Sequence, residues 1–380
     1  MDVVSIPILS DNYAHLLIDS ATRQAAVVDP GEAAPVLIAC RERNLVLEAI
    51  LATHHHADHV DGIESLLEAF PSARVIGADA ERIPRLSERV GAGSKISAAG
   101  ATGEVLDVRC HTRTHVAYHF DGKLFTGDTL FAAGCGRFFE GDAKDMRAAF
   151  DAIEALPLGT LIFPGHEYTV KNLEFAVYVE PSSSAAISKL LEAKHQRELG
   201  LPTIPTTLEA ELTYNPFLRS PRLASVIASR TGRSPGGPVE ALAELRRWKD
   251  QFSSAYQRAG GRFGVLGMLR DFYDHVFADP MIGFMFQKSD KERLIEKEHE
   301  LVADALGQPT PYTGRPMRPT HARFKITGGQ FERRMVLLED AMRRNELPAD
   351  AITLVLAHAR AVRQQITEEA GSSCHSEGRS

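Results

Sequence analysis

Cysteine is scarce: Cys40, Cys110, Cys135 and Cys374 are the 4 in 380 residues, and no two form a C-x-x-C pair. That spacing argues against a disulfide framework and suits reduced thiols in a cytoplasm. Long apolar runs are missing as well. None approaches the roughly 18 to 20 residues needed to span a bilayer, so no membrane partner is expected. The amino terminus, MDVVSIPILSDNYAHLLID, has Asp2 where a signal peptide would carry positive charge, and it reads as a first strand. Net positive charge is also absent. At −7 the chain has no general attraction for nucleic acid or anionic membranes, which leaves small anions held in a local basic pocket as candidate ligands. No internal repeat is visible.

What is present is enough chain for two or three domains, since one ordinary domain takes roughly 100 to 200 residues. Hydrophobic residues at 44% and charged residues at 24% are those of a folding globular protein. Up to about residue 165, short β-rich runs (QAAVVD, EAILAT, RVIGA, EVLDVR, VAYHF, KLFTGD, TLIFPG) alternate with turns and with helical stretches such as 62–70, a mixed α/β layout. From about Leu173 the periodicity turns helical, passes through the Pro-rich stretch LPTIPTTLEAELTYNPFLR and resumes at VEALAELRRWKDQF, which predicts a small helical appendage. From Ser253 the pattern is helical almost to the end, interrupted at Gly260-Gly261, at 278–280 and from Gly307 to Pro319. The closing GSSCHSEGRS is polar and glycine-rich and predicts a disordered tail.

The strongest chemical pattern is ILATHHHADHVDG, where His54, His56, Asp58 and His59 fall within six residues between a β-branched strand and a helix start. Imidazole nitrogens and carboxylate oxygens in that mixture suit zinc, iron or manganese rather than calcium. Further candidates recur at the ends of strand-like runs: His111 after EVLDVRC, Asp128 in LFTGD and His166 in LIFPG. Together these make seven side chains, enough for two metals.

T-H-H-H-A-D-H resembles the T-H-x-H-x-D-H motif of the metallo-β-lactamase superfamily, and the downstream residues follow in that family's order. The resemblance implies an αββα sandwich. It also implies that His54, His56 and His111 hold one metal, that Asp58, His59 and His166 hold the other, and that Asp128 bridges them. A hydroxide between two such metals is a nucleophile at neutral pH, so the implied chemistry is hydrolysis, with Asp58 as a group that could orient the hydroxide. One departure stands out. The family's G-H-T-x-G-H reads Cys110-His111-Thr112-Arg113-Thr114-His115 here, which removes two glycines and adds a soft ligand candidate in Cys110. His115 is expected to support the site rather than bind metal, and His55 is given no role.

Three further segments narrow the reaction: GDTLFAAGCGRFFEG (127–141), FPGHEYT (163–169), and NPFLR (215–219) with RRWKDQF (246–252). All resemble glyoxalase II, hydroxyacylglutathione hydrolase, over residues 1–252. The matching glutathione-binding positions are Arg137, Phe139, Tyr168, Arg246 and Lys249. Glutathione has two carboxylates, and arginine with lysine is a suitable set of cations for them. Phe139 replaces a tyrosine of some members, which removes a hydroxyl contact. The implied substrate is an S-(2-hydroxyacyl)glutathione such as S-lactoylglutathione.

From about Tyr256 to Ile366, the residues YQRAGG, LRDFYDHVFADP, FMF, ALGQPTPYTGRPMRPTHARFKIT and QFERRM resemble a group I truncated globin with the two-over-two helical fold. The resemblance implies haem b with His321 as proximal ligand, Tyr273 and Leu294 on the distal side, Phe286 packing on the haem, and a diatomic gas as partner. Glu298 stands where members often have glutamine; an ionised glutamate cannot donate a hydrogen bond to dioxygen. His275, His299 and His358 read as surface residues.

The expected organisation is therefore a metallo-β-lactamase catalytic domain at 1–166, a helical glutathione-binding domain at 167–252, a truncated-globin-like domain at 253–369 and a tail at 370–380. Two other readings share parts of the pattern: a mononuclear iron enzyme like a persulfide dioxygenase, and a non-catalytic haem-based sensor. NPFLR, RRWKD and the complete second ligand set argue against the first; seven intact ligand candidates argue against the second.

Overall fold

The computed structural model describes residues 1–308, 310–322 and 324–367; the predicted tail lies outside them. The chain divides into two compact units: Met1–Ala176 with Ser188–Gln251, and Val177–Ile187 with the chain from Phe252 onward. Among the described residues, no helix is long and apolar enough to cross a membrane.

The first unit holds two six-stranded sheets. One runs β1 (Asp2–Ile8), β2 (Asn12–Ile18), β3 (Gln24–Val28), β4 (Val46–Leu51), β5 (Arg74–Gly77) and β6 (Glu88–Arg89) in sequential order. The expected single first strand is thus two: the chain turns at 9–11 and pairs β1 with β2 antiparallel, Asp2 opposite Ile18 and Ile8 opposite Asn12. The other sheet contains β7 (Lys95–Ala98), β8 (Ala101–Asp107), β9 (Val116–Phe120), β10 (Lys123–Gly127), β13 (Leu161–Pro164) and β14 (Thr206–Thr207), in the order β14-β13-β10-β9-β8-β7. Between β10 and β13 in the chain lies a separate ribbon, β11 (Leu130–Phe131) with β12 (Gly134–Cys135).

Strand periodicity explains the layering. Alternate residues of one strand face opposite ways, so in β2 Leu16 joins the cluster with Val36, Ile63 and Leu66, while Leu17 joins the cluster with Val105, Tyr118, Phe120 and Phe125. The first cluster seats α1 (Ala33–Arg43) and α3 (Ile63–Ala69) on the sheet's outer face; the second fills the space between the sheets. Between these helices lies the single turn α2 (Ala57–Val60), and α4 (Ala143–Glu154) packs against β8. A capping box of Asp142 and Asp145 starts α4. The chain then continues through α5 (Thr169–Val179), α6 (Ser184–Glu198), α7 (Leu208–Tyr214), α8 (Ala224–Thr231) and α9 (Pro238–Asp250).

The second unit is helical: α10 (Ala255–Arg258), α11 (Gly261–Ala278), α12 (Lys291–Ala305), α13 (Met317–Ala322), α14 (Gly328–Arg344), α15 (Ala349–Ala361) and α16 (Arg363–Ile366). α11 and α12 pack on each other and on α14 and α15, the expected two-over-two arrangement. The paired glycines have a local reason. Gly260 and Gly261 are both left-handed, at φ 82° and 59°. The segment 177–187 belongs to this unit, where Arg258 lies over the rings of Tyr178 and Phe252 at 4.5 and 4.8 Å.

Candidate functional site

The carboxy ends of β4, β8, β10 and β13 release their chains at one edge of the sandwich. Each delivers side chains to the same point: His54, His56, Asp58 and His59 after β4, His111 after β8, Asp128 after β10 and His166 after β13. The ligand atoms fall into three overlapping groups, His54/His56/His111, His54/His59/Asp128 and Asp58/His59/His166, each within 4.8 Å. Nδ1 of His56 lies 3.0 Å from Nε2 of both His54 and His111. Nε2 of His166 is 3.3 Å from Asp58 Oδ2 and 3.4 Å from Asp128 Oδ1. All seven predicted ligands are brought together.

Second partners fix the rings. Asp29 Oδ2 accepts from His59 Nδ1 at 3.0 Å and from Thr53 Oγ1 at 2.8 Å, and Thr53 Oγ1 lies 3.0 Å from His54 Nδ1. His111 Nδ1 donates to the Arg137 carbonyl, and His166 Nδ1 to Asp11 Oδ1, each at 3.0 Å. With Nδ1 occupied in four rings, Nε2 is left toward the centre. Asn12 Nδ2 donates to Asp58 Oδ2 at 2.9 Å. Asp11, Asn12 and Asp29 were missed in the sequence, although each sits at a strand boundary as the ligands do.

This donor set fits divalent cations. Asp128 and His59 are buried, and Asp128 Oδ1 and His59 Nε2 have no hydrogen bond of sound geometry although they lie 3.3 Å apart. Burial alone would raise the Asp128 pKa; the neighbouring His59 and His166 overcome it and hold the carboxyl well below its ordinary value. The centre calls for positive charge shared among nitrogen and oxygen donors.

The departures around His111 resolve as follows. Among residues 110–115 none is left-handed, so the loop forms without the family's glycines. Cys110 is not beside the ligands: its thiol donates to the Asp142 carbonyl at 3.2 Å, and burial pushes it up to about 12. His115 is fully buried, stacks on His54 at 4.6 Å, and its Nε2 accepts the backbone N–H of Asp128 at 3.1 Å. His55 lies 4.0 Å from Asp79 and in none of the ligand groups.

Of the five predicted glutathione contacts, Phe139 sets its ring 5.0 Å from that of His111, and Tyr168 stacks on His166 at 4.6 Å. Arg246 departs from the expected open cation. It is buried, donates to the Cys135 carbonyl at 3.1 Å and to Asp250 Oδ1 at 2.8 Å. The exposed Arg137 has its Nε 3.7 Å from the same oxygen. Lys249 donates to the Lys171 carbonyl at 2.9 Å; burial, with Arg246 close by, lowers its pKa to about 7.

In the second unit a cavity of about 450 Å³ is lined by Tyr273, Phe286, Leu294, Glu298, Arg334 and His321, with Leu301, Phe331 and Val355 among its apolar walls. His321 Nδ1 donates to the Met317 carbonyl at 2.8 Å, which leaves its Nε2 free of that bond, and an imidazole on a largely apolar cavity fits haem. Tyr273 donates to Glu298 Oε2 at 3.3 Å, and Arg334, which sequence reasoning missed, donates to Glu298 Oε1 at 2.6 Å. Two surface expectations are corrected. His299 is buried, with Nε2 3.0 Å from the Tyr256 hydroxyl, because α12 turns it inward. His358, on α15, lines the cavity. His275 stays half exposed beside Asp271.

Two facing sheets with this histidine and aspartate cluster at one edge define a protein of the metallo-beta-lactamase superfamily, whose model matches residues 14–166. The model of the hydroxyacylglutathione hydrolase C-terminus matches residues 167–252, and that of the bacterial-like globin matches 254–368. The hydroxyacylglutathione hydrolase of Xanthomonas euvesicatoria is 42% identical over 256 residues, 67% of this chain and 100% of that protein. Hydroxyacylglutathione hydrolase 2 of Vibrio vulnificus is 44% identical over 254 residues, 66% of this chain and all of that one. The chain belongs to the hydroxyacylglutathione hydrolase family, is a thioester hydrolase, and carries a globin domain after it. Among solved structures, the ETHE1 protein of Myxococcus xanthus is similar at 23% identity and TM-score 0.47, covering 66% of this chain and 100% of that one. A truncated hemoglobin of Tetrahymena pyriformis is similar at 18% identity and TM-score 0.29, covering 31% of this chain and 100% of that one.

Proposed function

We propose that the first unit hydrolyses S-(2-hydroxyacyl)glutathione thioesters, S-lactoylglutathione among them, to glutathione and a 2-hydroxy acid at a two-metal centre. We further propose that the second unit binds haem b and, through it, a diatomic gas such as dioxygen. The observation that supports the first reading is the convergence of seven histidine and aspartate side chains, with Asp128 within 3.5 Å of His59, His111 and His166. His54, His56 and His111 would hold one ion and Asp58, His59 and His166 the other, with nitrogen and oxygen donors suited to zinc, iron or manganese. When bound, such a pair supplies a water acidic enough to ionise near neutral pH and a Lewis acid for the thioester carbonyl.

The chain's own residues do the rest. Asp58, with its side chain 39% exposed, is the ligand placed to orient the attacking water, while Asn12 holds its Oδ2. Phe139 and Tyr168, whose rings lie against those of His111 and His166, flank the centre as contacts for the glutathione moiety. Arg137 and Lys249 receive the glutathione carboxylates, and Arg246, tied to Asp250, backs them. The leaving thiolate has a pKa of about 8.5, so no dedicated general acid is required. The functional boundaries in this reading are 1–166 for the metal domain, 167–252 for the glutathione-binding helices and 253–369 for the globin.

For the second unit, His321 Nε2 would ligate the iron, with Tyr273, Leu294 and Glu298 facing the gas and Phe286 packing on the macrocycle. The test of both halves is hydrolysis of S-D-lactoylglutathione by metal-replete, haem-reconstituted protein against Asp128→Ala, with the Soret spectrum recorded for His321→Ala. Rapid turnover lost in Asp128→Ala is expected. Wild-type protein that instead consumes oxygen with glutathione persulfide would replace this reading by persulfide oxidation.

A further inference from the structure

The loop from Asp128 to Arg137 has a role at both ends: it starts at the shared carboxylate and finishes at the carbonyl that accepts from His111 Nδ1. In between, the β11–β12 ribbon pairs with itself, and side chains from the helical appendage hold the backbone groups of its turn. Glu211 Oε2 accepts the Ala133 N–H at 2.8 Å, at a residue in the left-handed region at φ 57°. Asn215 Nδ2 donates to the carbonyls of Gly134 at 3.1 Å and Phe131 at 3.3 Å, and to Glu211 Oε2 at 2.8 Å. Asn172 Nδ2 takes the Ala132 carbonyl at 3.1 Å, and Arg246 takes that of Cys135 at 3.1 Å. Glu211 and Asn215 are completely buried. The loop then closes on itself, since a Cβ on Gly136 would lie 1.9 Å from the Asp128 carbonyl oxygen. A shift of the loop therefore moves Asp128 and the His111 support together.

We propose that Glu211 and Asn215 are positioning residues for the metal centre, setting the placement of Asp128 and the orientation of His111 by clamping the 131–134 turn from α7. Asn215 opens NPFLR, so on this account that motif serves the metal loop rather than glutathione. The chemistry of the clamp is specific. Oε2 must accept two N–H groups, whereas Oε1 meets the Tyr214 hydroxyl at 2.9 Å, and that hydroxyl has Thr206 Oγ1 at 2.7 Å as an alternative acceptor. A glutamine at 211 keeps an acceptor for Ala133 and Asn215 and presents its amide to Tyr214. A leucine leaves both N–H groups buried without a partner.

The inference rests on the reading of Asp128 and His111 as metal ligands, and its test separates the two. Full-length wild type, Glu211→Gln, Glu211→Leu, Asn215→Ser and Asp128→Ala are loaded with Co(II), and the visible d–d spectrum, bound cobalt, kcat and KM are measured. Glu211→Leu and Asn215→Ser are expected to change the d–d spectrum and weaken cobalt binding by about 10- to 100-fold. They should lower kcat with KM nearly unchanged, whereas Glu211→Gln stays like wild type. If Glu211→Leu does not fold, Asn215→Ser against Glu211→Gln decides. Folded Asn215→Ser with the wild-type spectrum and cobalt affinity overturns the proposal, as does a Glu211→Gln spectrum altered as much as that of Asn215→Ser. A wild-type spectrum in Asp128→Ala overturns the metal assignment itself.

Discussion

Asp128 divides its carboxylate among three imidazoles, Oδ1 standing 3.3 Å from His59 Nε2 and 3.4 Å from His166 Nε2, and Oδ2 3.5 Å from His111 Nε2. In the proposed reading this one residue serves both ligand sets, so its loss should be felt in both. Asp128→Asn keeps the shape and removes the charge. Bound metal is expected to fall from two equivalents toward one or fewer, and kcat by on the order of 100-fold or more. Elemental analysis together with thioester hydrolysis checks this, and two retained metals with near-normal turnover would refute it.

Asp29 touches no metal in this reading but receives both Thr53 Oγ1 and His59 Nδ1 on one oxygen. Asp29→Ala frees the His59 ring to rotate or change tautomer. Zinc affinity, measured by competition with a chromophoric chelator, should drop about 10- to 100-fold, with the effect on KM small.

If Lys249 receives a glutathione carboxylate as proposed, its pKa, lowered to about 7 by burial, gives substrate binding a pH dependence. The cation that meets a carboxylate is present below that value and is lost as pH rises through it. KM for S-D-lactoylglutathione should therefore increase between pH of about 6 and 8, and Lys249→Arg, charged throughout, should flatten the rise. A wild-type KM constant over that interval would remove Lys249 from the binding set.

Complete burial raises the Glu211 pKa to about 7, opposite in direction to the shift of a salt-bridged carboxylate. The folded protein then holds a proton that the unfolded chain has released above about pH 4.3. The stability this contributes is complete below that unfolded value and is lost as pH rises toward 7. Glu211→Gln has no proton to lose, so its melting temperature relative to wild type should increase from pH of about 5 to 8. An unchanged difference across that range would show that Glu211 stays in one protonation state.

Arg334 neutralises Glu298 inside the second unit's cavity. Arg334→Leu leaves that carboxylate with the Tyr273 hydroxyl but without its cation and should cost about 1–3 kcal/mol, read by denaturant unfolding of haem-free protein. Replacing Glu298 as well, by leucine, should restore much of the loss. A double variant no better than the single one would mean that the pair is not the source.

The sequence by itself determined the alternating strands, the helical third region and the seven histidines and aspartates that converge at the sheet edge, because strand-end residues and helical periodicity are local patterns. It also marked a break at Gly260-Gly261, where the structure has both residues left-handed. Only the tertiary structure decided how each side chain is spent. Cys110 turns its thiol to the Asp142 carbonyl, Arg246 to Cys135 and Asp250, and His299 to Tyr256, since partners remote in the chain compete for the same donors. The meeting of Glu211 with Ala133 and of Arg334 with Glu298, 78 and 36 residues apart, rests on packing between elements, which no local spacing encodes.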